Sequence, residues 1–217
     1  MYDLHGIIFA YSASPELGEL VRRRTAASIP FCGRYRLIDF ALSSMMNAGI
    51  RDVGVIMQRD YQSLLDHIGS GKNWDMSRRY GGLRMLPPFG LPEYHRGNYT
   101  GTIEALNAVA TYVRGIPQKH IALLLGSVCA NIDLTAAMHQ HTKTGAEITA
   151  ICSAGELTGS NHRYVIDDDG MVKQLLFDRT DPGEGIPSLE GYIINKETVL
   201  RIMDKSKALN LYRFHKD

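Results

Sequence analysis

The sequence predicts an α/β fold, a sheet covered by helices, and three observations carry that reading. Short apolar runs alternate with amphipathic segments, the pattern of stacked β-α units. Residues 120–125 (His-Ile-Ala-Leu-Leu-Leu) are apolar almost throughout, as a central strand covered on both faces must be. Gly49 and Gly145 stand just past two amphipathic segments, where a residue free to adopt positive φ ends a helix.

In order, residues 4–10 read as a buried first strand and 37–47 as a helix closed at Gly49. Residues 53–57 are the next strand and 61–68 a short helix. One longer helix is expected over 101–113, because Ile103, Leu106, Ala110 and Val113 recur at helical spacing. After the 120–125 strand come a helix over 134–144, capped by Gly145, and a strand over 147–152. Residues 164–166 and 171–177 flank Asp167-Asp168-Asp169-Gly170, which has the chemistry of a hairpin turn. The remaining ligands of a calcium loop are absent there. Residues 70–98, rich in Gly, Pro and Arg, are expected as the longest irregular region. A loop of that length is functional or an interface. Trp74 and the prolines within it would cover a nucleotide or form an exposed subunit contact.

At 217 residues the chain suffices for one sizeable domain, read as 1–217. It ends after Tyr212-Arg213-Phe214-His215-Lys216-Asp217 without a domain-closing signal, so an N-terminal piece of a longer protein is expected. Twenty-four Lys and Arg balance 23 Asp and Glu, which argues against a nucleic-acid partner. No run approaches the ~20 apolar residues of a membrane span. No signal peptide is legible, and a cytoplasmic protein is expected. Cys32, Cys129 and Cys152 are odd in number and far apart, and are read as reduced, mostly buried thiols. His139 and His141, two apart on a helix, cannot jointly grip a metal.

The run Pro30-Phe31-Cys32-Gly33-Arg34-Tyr35-Arg36-Leu37-Ile38-Asp39-Phe40 resembles a signature of sugar-nucleotide pyrophosphorylases. Further blocks follow in the same order: residues 58–68, Leu86-Pro87-Pro88, Gly101-Thr102-Ile103-Glu104-Ala105, Asn131-Ile132-Asp133 and Glu190-Gly191-Tyr192. Together they resemble the ADP-glucose pyrophosphorylase (glucose-1-phosphate adenylyltransferase) family. The runs Arg23-Arg24-Thr25-Ala26-Ala27-Ser28 and Gly69-Ser70-Gly71-Lys72-Asn73-Trp74-Asp75 are more similar to its D-type subunit, found beside the catalytic subunit in some bacteria. The resemblance implies a Rossmann-like nucleotidyltransferase domain, a mixed, mostly parallel sheet with helices on both faces. The family's C-terminal left-handed β-helix domain is absent from this chain.

It also implies where the chemistry should lie. The family places a glycine turn and an arginine against the triphosphate, a lysine before the Pro-Phe pair, and a metal-holding aspartate after a central strand. Aligned at Pro30-Phe31, the glycine positions are Tyr11, Ser12 and Ser14, the arginine is Glu16 and the lysine is Ala26. The aspartate is Ser127 and its neighbouring histidine Val128. A Cβ at the glycine positions obstructs close backbone approach. Glu16 for arginine reverses a charge worth about 4 kcal/mol for a unit pair at ~4 Å and an effective dielectric of ~20. Losing the carboxylate removes the metal clamp.

No catalytic or metal-binding residue is therefore assigned, and magnesium is implied for a catalytic partner only. Vestigial ligand positions are Arg36, Asp39, Gln58, Gly101, Thr102 and Arg179, the last standing where the family grips the sugar phosphate with lysine. Arg36 and Asp39 read equally as a structural ion pair or cap, Gln58 as a loop cap, and Gly101-Thr102 as a plain helix start. Arg22-Arg23-Arg24 reads as a sugar-phosphate effector site or as a solvated basic face. The expected role is a non-catalytic regulatory or assembly subunit, partnered by a catalytic homologue in a hetero-oligomer, a tetramer by resemblance, or by itself. The alternatives are an active nucleotidyltransferase with a divergent site and a module that senses nucleotide or sugar phosphate.

Overall fold

The computed structural model describes residues 3–11, 15–78, 81–87, 99, 101–155, 157, 162–177 and 185–209, with backbone only at 15 and 16. At its centre is β1 (Leu4–Phe9), six residues all buried. It pairs in parallel with β4 (Asp52–Ile56) on one side and β6 (His120–Leu125) on the other. Beyond β4 lies β5 (Gly82–Leu86), also parallel. Beyond β6 lies β10 (Ile186–Asn195), antiparallel to β6 and to both β7 (Ile148–Cys152) and β8 (His162–Ile166). β9 (Val172–Phe177) closes that edge as a hairpin with β8. By direction, six of these eight strands run one way, with β9 and β10 opposed, so the sheet is mixed and mostly parallel.

Alternation along β1 sends Leu4 and Ile8 to one face and Ile7 and Phe9 to the other. The first face is covered by α1 (Ile38–Asn47), α2 (Gln62–Ile68) and α5 (Leu134–Thr144). The second is covered by α3 (Thr102–Ala108), α4 (Ala110–Arg114) and α6 (Lys196–Leu209). Gly49 and Gly145 end α1 and α5 at φ 72° and 64°. In the acidic turn, the Asp167 carboxylate accepts the Met171 N–H at 2.8 Å and Gly170 takes φ 77°. His141 is a structural clamp, with Nδ1 at 2.8 Å from the Thr149 hydroxyl and Nε2 at 2.9 Å from Asn195 Oδ1. Among the described residues no helix is long and apolar enough to cross a membrane.

Four expectations need correction. The region 70–98 is not irregular throughout, because β5 pairs along β4 and the Asp52 carboxylate accepts the Gly82 N–H at 2.9 Å. Trp74 is not exposed: it is 6% accessible and packs in the core beneath α1 and α2, beside His67. Cys32 and Cys129 are exposed and Cys152 is half-buried, so the thiols are not mostly buried. The 101–113 helix is two helices, broken at Val109 (φ −110°, ψ 27°). The break lets α4 lay Tyr112 over Gly54, where a Cβ would come within 2.7 Å of the ring. β10 and α6 had no anticipated counterpart, and residues 30–31 (β2, Pro30–Phe31) and 35–36 (β3, Tyr35–Arg36) form a small hairpin ahead of α1.

At the amino edge of the sheet, His5 Nε2 lies 2.8 Å from the Tyr112 hydroxyl, and the Gln118 amide donates to Asp52 Oδ2 at 2.8 Å. Burial holds the His5 pKa down at about 4, against an opposing pull from Asp52. Between pH ~6.5 and ~4 the unfolded chain therefore binds a proton that the folded chain refuses. Stability should fall by on the order of 2–3 kcal/mol as pH drops through that window. Urea unfolding followed across this range should lose that slope in His5→Asn. Gly54→Ala should cost about 1–3 kcal/mol through overpacking against Tyr112. Combining it with Tyr112→Ala should cost less than the sum of the two, read from paired urea midpoints.

Candidate functional site

The chain leaves β1 for β4 and β5 on one side and returns to β6 on the other. The strand order therefore reverses between β1 and β6, and in open α/β sheets the crevice outside such carboxyl ends is where ligands bind. Ala10 N–H donates to Ile56 O and Gly126 N–H to Phe9 O, both at 2.8 Å, which fixes the end of β1 to both neighbours. Position 11 follows at the carboxyl end of β1, on the same face as Ile7 and Phe9.

Here that residue is tyrosine. Its ring meets Phe9 and Tyr99 edge-on, with centroids at 5.8 and 5.2 Å. The Gln58 amide reaches the Tyr99 carbonyl at 3.4 Å. The Tyr11 hydroxyl is occluded and faces Thr102, with no hydrogen bond of normal geometry among the described residues. Burial raises its pKa, and Tyr99 and Glu104 add to the effect, so it is a neutral phenol. Burial also raises Tyr99, helped by Glu104, itself buried in the first turn of α3. Tyr11, Gln58, Thr102 and Glu104 thus gather around one aromatic plug. Gly101 precedes α3 with extended backbone (φ −166°), which any residue adopts.

Ala26 and Ala27 lie in a short 3-10 turn and are buried, Ala26 completely. A Cβ at Gly126 would stand 3.2 Å from the Ala27 methyl, so this turn closes against the end of β6. Ser127 follows in the turn, half-buried. Arg36 and Asp39 do not pair through their side chains. The Arg36 guanidinium donates to the Ser63 carbonyl and hydroxyl, while Asp39 accepts the Arg36 backbone N–H at 3.0 Å and contacts His67 Nε2 at 2.6 Å. Both groups tie the β2–β3 hairpin and α1 to α2. Arg22 pairs with Glu19 at 3.2 Å on the open surface. Ser12, Ser14, Arg179 and the Glu16 side chain lie outside the described residues.

On the other half of the rim the sequence showed only the Glu190-Gly191-Tyr192 block. β10 is antiparallel to β6, so its first half reaches the same carboxyl edge, and its pairing with β7 shifts register between Ser188 and Gly191. Glu190 takes φ 51° in that bulge, a strained conformation for a residue with a Cβ. Its N–H donates to the Ser188 hydroxyl at 2.9 Å, and its carboxylate lies 3.2 Å from His162 Nδ1. Beside it the Tyr164 and Tyr192 hydroxyls meet at 2.8 Å, and burial raises both phenols. Glu190-Gly191-Tyr192 was visible as a block, but a bulge that forces Glu190 to positive φ has no sequence signature.

Among the described residues, the donors present do not fit a magnesium site. The switch-point turn offers the Ser127 hydroxyl in place of a carboxylate, and the described residues hold no cluster of three His, Cys, Asp or Glu side chains. The buried position of Ala26 generates a prediction. Ala26→Lys should destabilise by about 1–3 kcal/mol, because a long cationic chain must displace packed neighbours. Chemical denaturation would measure this, and an unchanged midpoint would contradict the packing described.

A glycogen biosynthesis protein GlgD from Geobacillus stearothermophilus is 37% identical over 178 residues, covering 82% of this chain and 50% of that protein. A Bacillus subtilis GlgD is 30% identical with the same coverage. A glucose-1-phosphate adenylyltransferase from Halalkalibacterium halodurans is 29% identical over 99% of this chain and 57% of its own. The chain thus spans about half the length of these curated relatives. A Bacillus anthracis crystal structure, provisionally named a glucose-1-phosphate thymidylyltransferase, superposes with TM-score 0.71 at 14% identity, covering 92% of this chain and 74% of that one, and shows the shared fold. These relatives bear out the resemblance to ADP-glucose pyrophosphorylases. Residues 6–175 match the nucleotidyl transferase family model, and the chain belongs to that family.

Proposed function

We propose that this chain serves glycogen synthesis as a non-catalytic, regulatory or assembly subunit of a glucose-1-phosphate adenylyltransferase, the activity that joins ATP and glucose 1-phosphate into ADP-glucose and pyrophosphate. The observation that carries the reading is the aromatic plug. Tyr11, packed on Phe9 and Tyr99, stands where related enzymes bring backbone amides to phosphate. A neutral phenol and a buried alanine methyl supply no charge to a triphosphate. Arg36 and Asp39, by contrast, hold the hairpin to the helices, so the scaffold persists while polar groups are spent internally. The names of the GlgD relatives support the same pathway.

Such a subunit acts through contact. It must bind two states of a catalytic partner unequally, and a tenfold shift in the partner's half-saturation corresponds to about 1.4 kcal/mol of coupling. The full chain, purified alone with magnesium, ATP and glucose 1-phosphate, should release no more pyrophosphate than a heat-denatured control. Co-expressed with a catalytic homologue, it should co-purify and change that enzyme's half-saturation for substrate. Turnover by the chain alone would instead favour an active enzyme with a divergent site. Tight nucleotide binding without any complex would favour a sensing module.

A further inference from the structure

A separate hollow of about 520 Å³ opens at the amino edge of the sheet, where Arg84 and Leu86 of β5 meet Tyr112 of α4 and the turn carrying Ile116 and Pro117. In the β4–β5 register Gly54 pairs with Arg84 and Ile56 with Leu86. Alternation therefore sets Arg84 and Leu86 on the face of the sheet that α4 covers. Tyr112 is fixed there, its ring over Gly54 and its hydroxyl 2.8 Å from His5 Nε2. The Arg84 guanidinium stands 5.5 Å from the centre of that ring, within cation–π reach. Arg84 is otherwise exposed, and among the described residues it has no acidic partner at ion-pair distance. Asp52 also lines the hollow, but its oxygens are engaged, Oδ1 by the Gly82 N–H at 2.9 Å and Oδ2 by the Gln118 amide at 2.8 Å. Two atoms of the inner wall, His5 Nδ1 and Gln118 Oε1, make no hydrogen bond of normal geometry among the described residues, so the wall is not closed on itself.

We propose that this hollow is a binding site for a small ring-bearing organic anion, its oxyanion accepting from Arg84 and its ring packed on Tyr112, Leu86 and Ile116. The proposal rests on the hollow alone and does not depend on the subunit role proposed above. A guanidinium presents a planar fork of donors that matches the two oxygens of a carboxylate or phosphate. Contact with the Tyr112 ring restrains that fork, so less freedom is lost when an anion arrives. Apolar walls beside one convergent polar group favour a ligand with a ring over a bare inorganic anion. The hollow lies at the amino ends of β1, β4 and β5, whereas the plugged switch point lies at the carboxyl ends of β1 and β6. The two sites are therefore distinct.

The test titrates the nitrogen-15-labelled full chain with phenyl phosphate and, separately, with benzoate, and reads amide shifts by proton–nitrogen correlation spectra. The expected result is saturable shifts in β5, α4 and the turn after it, with a dissociation constant on the order of 1 mM or tighter for at least one probe. The tighter of the two identifies the oxyanion as phosphate or carboxylate. Phenol, which carries the ring without the charge, and inorganic phosphate, which carries the charge without the ring, should each bind about tenfold more weakly or worse. Arg84→Gln should weaken binding about tenfold or more and leave the urea midpoint unchanged. Arg34→Gln, at an exposed arginine in the β2–β3 turn, should leave binding unchanged. No saturable shift with either probe, shifts centred on the residues around Tyr11, binding of phenol as tight as that of the anions, or binding indifferent to Arg84→Gln would each overturn the proposal.

Discussion

The seat of β1 between β4 and β6 governs the rest of the molecule. Six buried residues, paired in register on both sides, leave the strand no freedom to slip without moving every apolar side chain to the wrong face. That fixed register delivers position 11 to the point where strand order reverses. A glycine turn there leaves open space, whereas tyrosine fills it with a ring that gains edge-on contacts, each aromatic pair worth about 0.5–1.5 kcal/mol beyond its burial. The crevice is therefore stabilised by the residue that occludes it.

The same trade recurs around the rim. Arg36 and Asp39 carry the charge and geometry that ligand sites use, yet hold a hairpin and two helices together. Glu190 accepts a strained backbone to reach His162. Groups committed to internal partners cannot turn to a ligand without leaving those partners unsatisfied.

The parts of the fold legible in sequence were those with strong periodicity or punctuation. The strands at 4–10, 53–57, 120–125 and 147–152, the helices at 37–47 and 134–144, and the acidic hairpin agree with the structure to within one or two residues at most boundaries. β5 was hidden because glycines and prolines crowd both of its ends, and its pairing depends on Asp52, thirty residues upstream. The break at Val109 answers to Gly54 on a distant strand, and Trp74 owes its burial to helices it meets only in three dimensions. The substitutions at Tyr11, Ala26 and Ser127 were readable one by one. The packing around them was not, because it depends on Tyr99 arriving over Tyr11 from a separate segment and on Ala27 standing against Gly126.

The central claim, that the plugged switch point cannot accept a nucleoside triphosphate, is tested most directly by calorimetric titration of magnesium-ATP into the full chain. The account predicts no saturable heat at ligand concentrations on the order of 1 mM, equivalent to binding weaker than about 4 kcal/mol. A saturable isotherm in the micromolar range would contradict it.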